Sequence, residues 1–373
     1  MIILNKRGIF PLSYLRIFLS EYGERILIMA NEINLLDIAP HQVSRDLRGY
    51  SVFFYGDPKS GKTTIATKFP RHLLLAFEKG YNAIPGAMAQ PINTWGEFRK
   101  VLRQLKDEKV KEKFETIIID TADIAYDYCE KYICANAKRG DGGVGVDSIA
   151  DIPFGKGYGF VSKEFDDCLR SIVQMGYGLV LISHAADKTF KDEAGNEYNQ
   201  IVPTLDKRAR NIVSRLCDII GYSRAVLEND KLVTKLFIRG TPRYMAGSRF
   251  KYTPDYIDFT YDALVKAIGD AIDEQMKTDG KEYFTDARNN LHTEAIELDF
   301  DALLETFNSI VNNIIEKESE EKFTSYWQPR IVQITEKYLG KGQKVSNCSR
   351  EQTEALDLIV SELKDLVAGI SAE

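Results

Sequence analysis

The amino-acid sequence predicts an α/β fold, a doubly wound and mainly parallel sheet followed by a small helical domain. Three observations predict it. Between Val52 and Ile182 four short apolar runs alternate with stretches of helical character, the pattern of parallel strands joined by crossover helices. A glycine-rich segment, Gly56-Asp57-Pro58-Lys59-Ser60-Gly61-Lys62-Thr63, follows directly on the first of those runs. Beyond residue 270 apolar residues recur at three- and four-residue intervals and acidic residues dominate. Domain boundaries follow: an N-terminal extension over 1–44, an α/β domain over 45–269 and an acidic helical domain over 270–373.

Residues 1–28 carry no turn chemistry or periodicity that would join them to a core, and Met29-Ala30-Asn31-Glu32 reads as well as a chain start as Met1 does. These first 28 residues are therefore expected to be dispensable. Val52 to Tyr55 forms the first strand, and Thr64 to Phe69 the helix after the glycine-rich turn, ended by Pro70. Leu73 to Phe77 is the second strand. Thr94 and Glu97 form a capping box for a helix running to about Lys106. Thr116 to Ile119 and Leu179 to Ile182 make the third and fourth strands, separated by a helix around Phe165, Leu169, Ile172 and Val173. Ile219–Leu227 and Leu232–Ile238 flank Glu228-Asn229-Asp230-Lys231 as a hairpin, an antiparallel extension of the sheet. In the tail, Phe300, Leu303, Leu304, Phe307, Ile310, Val311 and Ile314 make one core-facing stripe, and Leu356, Ile359, Leu363 and Leu366 another.

Bulk composition narrows the class. A chain of 373 residues, 44% hydrophobic and 11% aromatic, has material for two packed domains. No apolar stretch approaches the length of a membrane span, and a cytoplasmic protein is expected. Five cysteines without a C-x-x-C pair indicate neither a disulfide framework nor a zinc site, and the four histidines are scattered. Residues 270–373 hold 22 Asp/Glu against 11 Lys/Arg, a balance of −11 in a chain of net charge −6, which leaves +5 on residues 1–269. A mildly basic first part is compatible with a polyanionic partner.

The segment 56–63 satisfies the phosphate-loop pattern G-x-x-x-x-G-K-[ST] at every constrained position, between a buried strand and a helix. Glycines and the helix N-terminus aim backbone N–H groups at a polyphosphate. Gly56, Asp57, Pro58, Lys59, Ser60, Gly61, Lys62, Thr63 and Thr64 are therefore the candidate nucleotide-binding residues. Lys62 is expected to reach the β- and γ-phosphates, and the Thr63 hydroxyl to ligate Mg²⁺.

Hydrolysis further needs a carboxylate near the metal, a base for water and a group that senses the γ-phosphate. Each has a candidate at a strand end, where ligands bind in open α/β sheets. Asp120 follows Ile117-Ile118-Ile119 as a Walker-B aspartate, a second metal ligand beside Thr63. Its successor is Thr121, where many AAA+ enzymes carry a catalytic glutamate. Glu78, at the end of the second strand, is the candidate base. His184, closing Leu181-Ile182-Ser183, is the candidate γ-phosphate contact, with Ser183 a weaker one. Lys62, Glu78, Asp120 and His184 form the expected catalytic set.

Two segments follow those strand ends. Residues 136–159 hold seven glycines and read as mobile, needing a partner to pack. Residues 185–203 read as a loop in which Lys188, Phe190 and Lys191 precede a turn at Ala194-Gly195-Asn196; cation, ring and cation suit a single-stranded nucleic acid. Among the later arginines, Arg243 and Arg249 are the first candidates to act on a neighbouring subunit's γ-phosphate.

The ordered set Tyr55-Gly56-Asp57-Pro58 to Thr64, Phe77-Glu78-Lys79-Gly80, Ile119-Asp120-Thr121, Ile152-Pro153-Phe154-Gly155-Lys156-Gly157-Tyr158 and Ile182-Ser183-His184 resembles the phage-type AAA-domain nucleotide-binding proteins, including RecA-like single-strand annealing ATPases. Val202-Pro203, Lys207 to Arg210 and Arg243-Tyr244 to Arg249 continue it, over residues 45–265. The resemblance implies a RecA-like P-loop NTPase fold, ATP and Mg²⁺ as ligands, ATP hydrolysis, and DNA binding through the two segments above. It further implies homo-oligomers acting on single-stranded DNA in phage recombination or replication, beside a single-strand binding protein, within a bacterial host. It supports Glu78 as base and His184 as sensor. Where relatives often show a lysine, this chain has Gly247 in Ala246-Gly247-Ser248-Arg249, which leaves trans-activation to Arg249 or Arg243. A competing reading is an ATP-gated loader that positions a replication protein through the acidic tail; a small-molecule kinase, which needs an arginine-rich lid, ranks last, because the 136–159 segment offers one arginine, Arg139, beside Lys138 and Lys156.

Overall fold

The computed structural model describes Leu36 and residues 38–139, 142–288 and 298–370. The extension over residues 1–28 and the second start at Met29 lie outside them. The chain divides into one unit before Pro40 and a second from Pro40 onward, and the second carries the fold.

Along this unit the strands are β1 (Val43–Ser44), β2 (Ser51–Gly56), β3 (His72–Ala76), β4 (Ala89–Pro91), β5 (Thr116–Asp120), β6 (Gly178–Lys191), β7 (Glu197–Pro203), β8 (Ile219–Glu228), β9 (Lys231–Phe237), β10 (Gly247–Ser248), β11 (Tyr256–Asp258) and β12 (Phe284–Thr285). The helices are α1 (Lys62–Ala66), α2 (Trp95–Gln104), α3 (Glu108–Lys113), α4 (Ala122–Asn136), α5 (Lys156–Gln174), α6 (Lys207–Leu216), α7 (Tyr261–Asp279), α8 (Phe300–Lys317), α9 (Glu320–Lys322), α10 (Gln328–Leu339) and α11 (Thr353–Ile370).

The expected doubly wound sheet is present. Its strand order is β11-β9-β8-β2-β6-β5-β3-β4, parallel from β8 to β4, with β9, β10 and β11 as the antiparallel extension. Alternate residues of each central strand face opposite layers, as a two-residue side-chain period requires. Phe53, Tyr55, Leu75, Ile117, Ile119, Leu179 and Leu181 pack with α2, α4, α5 and α6. Val52, Phe54, Leu74, Ile118, Val180 and Ile182 pack with α1 and α7 on the other side. Covering both faces is what lets these strands be apolar throughout. Thr94 caps α2 as expected, its hydroxyl accepting from the Glu97 amide at 3.1 Å.

Four local readings change. Helix α1 is one short turn starting at Lys62, ahead of the expected Thr64. The edge strand β4 has only three residues and no apolar run to announce it. Residues 185–203 are not a loop: β6 runs on past His184 and pairs antiparallel with β7 from Ala185↔Pro203 to Lys191↔Glu197. The turn between them holds Gly195 at φ +83°, a left-handed position that glycine takes freely. In the glycine-rich segment, Ile149 and Ile152 are buried in the α-helical layer, so its second half packs without a partner.

Helix α7 runs unbroken through the expected 269/270 boundary, and its Ala271 and Ile272 lie in the sheet's own core. Phe284 joins that core, and β12 pairs with β1. In α8 to α11, Ile314, Trp327, Ile334, Val345, Leu356, Ile359, Val360 and Leu363 form a separate core, with Phe300, Leu303, Leu304, Phe307, Ile310, Val311 and Leu366 packed against it, so both expected stripes face inward. Among the described residues no helix is long and apolar enough to cross a membrane.

Candidate nucleotide site

Register places the candidate residues at one end of the sheet. Gly56 pairs with His184 on β6 and with Ser223 on β8, while Asp120 pairs with Ile182 and Ala76. The C-terminal ends of four adjacent parallel strands thus converge around the glycine-rich turn. Gly56 is required by a close approach: a Cβ there would stand 2.1 Å from Ser223 Oγ and 2.4 Å from its carbonyl oxygen. Gly61, at φ +95°, turns the loop into α1. Ser60 Oγ lies 2.9 Å from Ser223 Oγ, tying the loop to β8.

Within the loop, Lys62 is 5% exposed and its Nζ donates to the carbonyl oxygens of Gly56 at 3.0 Å and Asp57 at 2.7 Å. Asp57, Pro58, Lys59 and Thr64 are exposed, and Ser60, Gly61 and Thr63 half-buried, so the loop presents an open rim around a buried cation. Thr63 Oγ1 donates to Asp120 Oδ2 at 2.7 Å, which unites the two expected metal ligands. Gly80 lies beside them; a Cβ there would be 3.6 Å from Thr63 Oγ1 and 3.7 Å from Asp120 Oδ2.

Burial sets the electrostatics. Asp120 is 4% exposed, and removal from water pushes its carboxyl above the ordinary value against the Thr63 hydrogen bond, with Glu78 adding to the rise and Lys62 opposing it. Burial likewise lowers Lys62, while Asp120, Asp57 and Glu78 pull it back up. Each charge is thus held where the fold alone disfavours it, a property of sites built for a ligand. The Asp120–Thr63 pair offers two hard oxygens, and Lys62 a cation beside them; this donor set fits Mg²⁺ carried on a polyphosphate.

Glu78 and His184 meet across the same crevice. The amides of Phe77 and Glu78 both donate to the Asp120 carbonyl, at 2.8 and 3.0 Å, which fixes the end of β3 against that of β5. Glu78 Oε2 stands 3.5 Å from His184 Nε2, both side chains partly exposed, and His184 Nδ1 is buried without a partner. Lys62, Thr63, Glu78, Asp120 and His184 are therefore gathered into one site.

The outer candidates are not. Lys188 pairs with Gln200 and Phe190 with Tyr198, so these two share one face of the β6–β7 hairpin with the Phe190 and Tyr198 rings stacked 5.9 Å apart. Lys191 lies on the opposite face and pairs with Glu197 at 3.4 Å, so the expected cation-ring-cation trio is split. Arg249 pairs with Asp218 at 3.2 Å, next to the first residues of β2 and β8, the far end of the sheet from the loop. Arg243 is exposed in the segment joined to β7, where its carbonyl accepts from the Ile201 amide at 2.8 Å. Sequence reasoning missed Asp123, Thr204 and Ser223. Of these only Ser223 had a signal, since a strand beside β2 must end against the loop.

A family model described as an AAA domain (AAA_24) matches residues 48–250, which hold the parallel part of the sheet and every residue of this site. The chain belongs to that AAA-domain family. It is also 34% identical over 346 residues to the SPbeta prophage-derived uncharacterized protein YorG of Bacillus subtilis (strain 168), covering 89% of this chain and 99% of that one. A KaiC-like protein from the archaeon Pyrococcus horikoshii OT3 aligns with 55% of this chain and 90% of its own at 12% identity, with a TM-score of 0.31, too low to bear on the argument. Membership of the AAA-domain family and the loop geometry together make this a P-loop nucleotide-binding fold.

Proposed function

We propose that the protein is a Mg²⁺-dependent ATPase of the RecA-like class that acts on single-stranded DNA in phage recombination or replication. The observation that carries the ATPase is the Thr63–Asp120 contact of 2.7 Å beside the buried Lys62, with Glu78 opposite. Lys62 and the loop amides would hold the β- and γ-phosphates, and Thr63 and Asp120 would hold Mg²⁺, which would supply charge neutralisation. Glu78, anchored through its amide on Asp120, orients water and accepts its proton. His184 contacts the γ-phosphate and stabilises the charge that grows on it.

Support for the DNA partner is of another kind. Lys188 and Phe190 share one face of a hairpin that begins at His184, giving charge for phosphate and a ring for a base. The prophage origin of the Bacillus subtilis relative supports a phage setting inside a bacterium. Homo-oligomers would place Arg243, exposed and outside the site of its own chain, as the residue acting in trans.

The test is ATP turnover of the purified protein with and without single-stranded DNA. Glu78→Gln should still bind nucleotide but lose turnover by about 100-fold or more; unchanged turnover moves the base elsewhere. Lys188→Ala should lower the slope of log affinity for single strands against log salt by about 0.7, and Lys191→Ala, already paired, by less. Turnover indifferent to DNA together with no DNA binding would favour the ATP-gated loader.

A further inference from the structure

We propose that Asp123 is a positioning residue that latches the root of the β6–β7 hairpin to the Walker-B segment, so that the hairpin responds to nucleotide. The inference rests on the ATPase reading and concerns regulation of the same site.

The geometry is a small polar knot where the strands emerge. Asp123 sits in the first turn of α4, three residues beyond Asp120. Its Oδ1 accepts two hydroxyls, Ser183 Oγ at 3.0 Å and Thr204 Oγ1 at 2.5 Å. Ser183 is fully buried on β6 between β2 and β5, and it precedes His184; Thr204 immediately follows β7. The Thr204 amide donates to the His184 carbonyl at 2.9 Å, and the Ser183 and Thr204 hydroxyls lie 3.3 Å apart. One carboxylate oxygen therefore holds both legs of the hairpin, at the level where its first pair, Ala185↔Pro203, forms.

Two further atoms belong to the knot. Asp123 Oδ2 and His184 Nδ1 are both buried without a hydrogen-bond partner. Buried polar atoms left unmatched call for an explanation, and a latch that changes partners supplies one. Charge placed at Asp120 and His184 acts on the same short stretches, 120–123 and 183–184, that grip the hairpin. Movement of either stretch moves the hairpin legs with it, because both legs are hydrogen-bonded to the same oxygen of Asp123.

Hydrogen exchange read by peptide mass spectrometry on the full chain tests this, with and without Mg²⁺ and a non-hydrolysable ATP analogue. In the unaltered protein, nucleotide should slow exchange of residues 56–66 and also change that of residues 185–203, by roughly threefold or more. In Asp123→Ala and in Thr204→Val, whose side chain keeps its shape, residues 56–66 should still respond while the hairpin no longer does. Asp123→Asn, which keeps one acceptor oxygen, should restore at least half of the hairpin response. A hairpin that answers to nucleotide equally in Thr204→Val and in the unaltered protein overturns the latch, as does one that never answers while residues 56–66 do. Residues 56–66 that ignore nucleotide in the unaltered protein would overturn the ATPase reading, and the latch with it.

Discussion

The two ends of the central sheet both bury charge, and they treat it in opposite ways. At the end where β3 and β5 begin, Glu115 is 6% exposed and accepts from three guanidinium groups: Arg71, Arg48 at 3.0 Å and Arg288 at 3.2 Å. The Arg71 hydrogen bond, aided by Arg48, holds its carboxyl below the ordinary value in spite of burial. Asp218 at the same end accepts from the Ser51 amide at 2.8 Å and pairs with Arg249. At the opposite end Asp120 has one hydroxyl donor, and its carboxyl is raised. Fully matched carboxylates staple the fold; the half-matched one waits for chemistry that the chain does not contain.

Substitutions at the two ends should therefore separate binding from stability. The largest effect is expected from Lys62→Ala, which should weaken nucleotide binding by about 3 kcal/mol, roughly 100-fold, with little loss of fold stability. Titration with a fluorescent ATP analogue beside urea unfolding reads both. Glu115→Ala should do the reverse: the half-buried Arg48 and Arg288 and the exposed Arg71 lose their common partner, costing about 2 kcal/mol of unfolding free energy once solvent screening is allowed for, while nucleotide affinity of the folded protein stays within about twofold. A Glu115 variant that lost nucleotide binding instead would erase the distinction between the two ends.

Smaller effects sharpen it. Because burial raises the Asp120 carboxyl, its ionised form opposes folding at neutral pH, and Asp120→Asn should stabilise the protein by about 1 kcal/mol while abolishing Mg²⁺-dependent turnover. Destabilisation by that change would show that Asp120 is a structural partner of Thr63. Glu115 has the opposite sign. Its contribution is present above the ordinary carboxylate value of 4.5 and is lost as pH falls below it, so the stability difference between the unaltered protein and Glu115→Gln should shrink on acidification.

The comparison also explains what could be read in advance. Lys62, Thr63, Glu78, Asp120 and His184 were legible because each sits next to a local pattern, an apolar run or a glycine turn, and a parallel sheet brings all strand ends to one edge. The β6–β7 hairpin was not. Its residues 185–203 are polar and half-exposed, so no apolar alternation marks them, and their pairing depends on a turn at Asp192 to Asn196 that closes only in the fold. Arg249 looked like a residue for the site because it follows a strand. Only the pairing of β10 with the first residues of β8 shows that it points to the other end.

By itself, then, the sequence determined the strands, the phosphate loop and the residues at the strand ends, since these follow from side-chain period, glycine geometry and the spacing of a short motif. The tertiary structure alone decided which charges are matched. Glu115 meets Arg288 across 173 positions, and Asp123 meets Thr204 across 81. Such partners share no local signal, because what joins them is the closing of the sheet and its helices around a common interior, and burial is a property of that closed form and not of any segment.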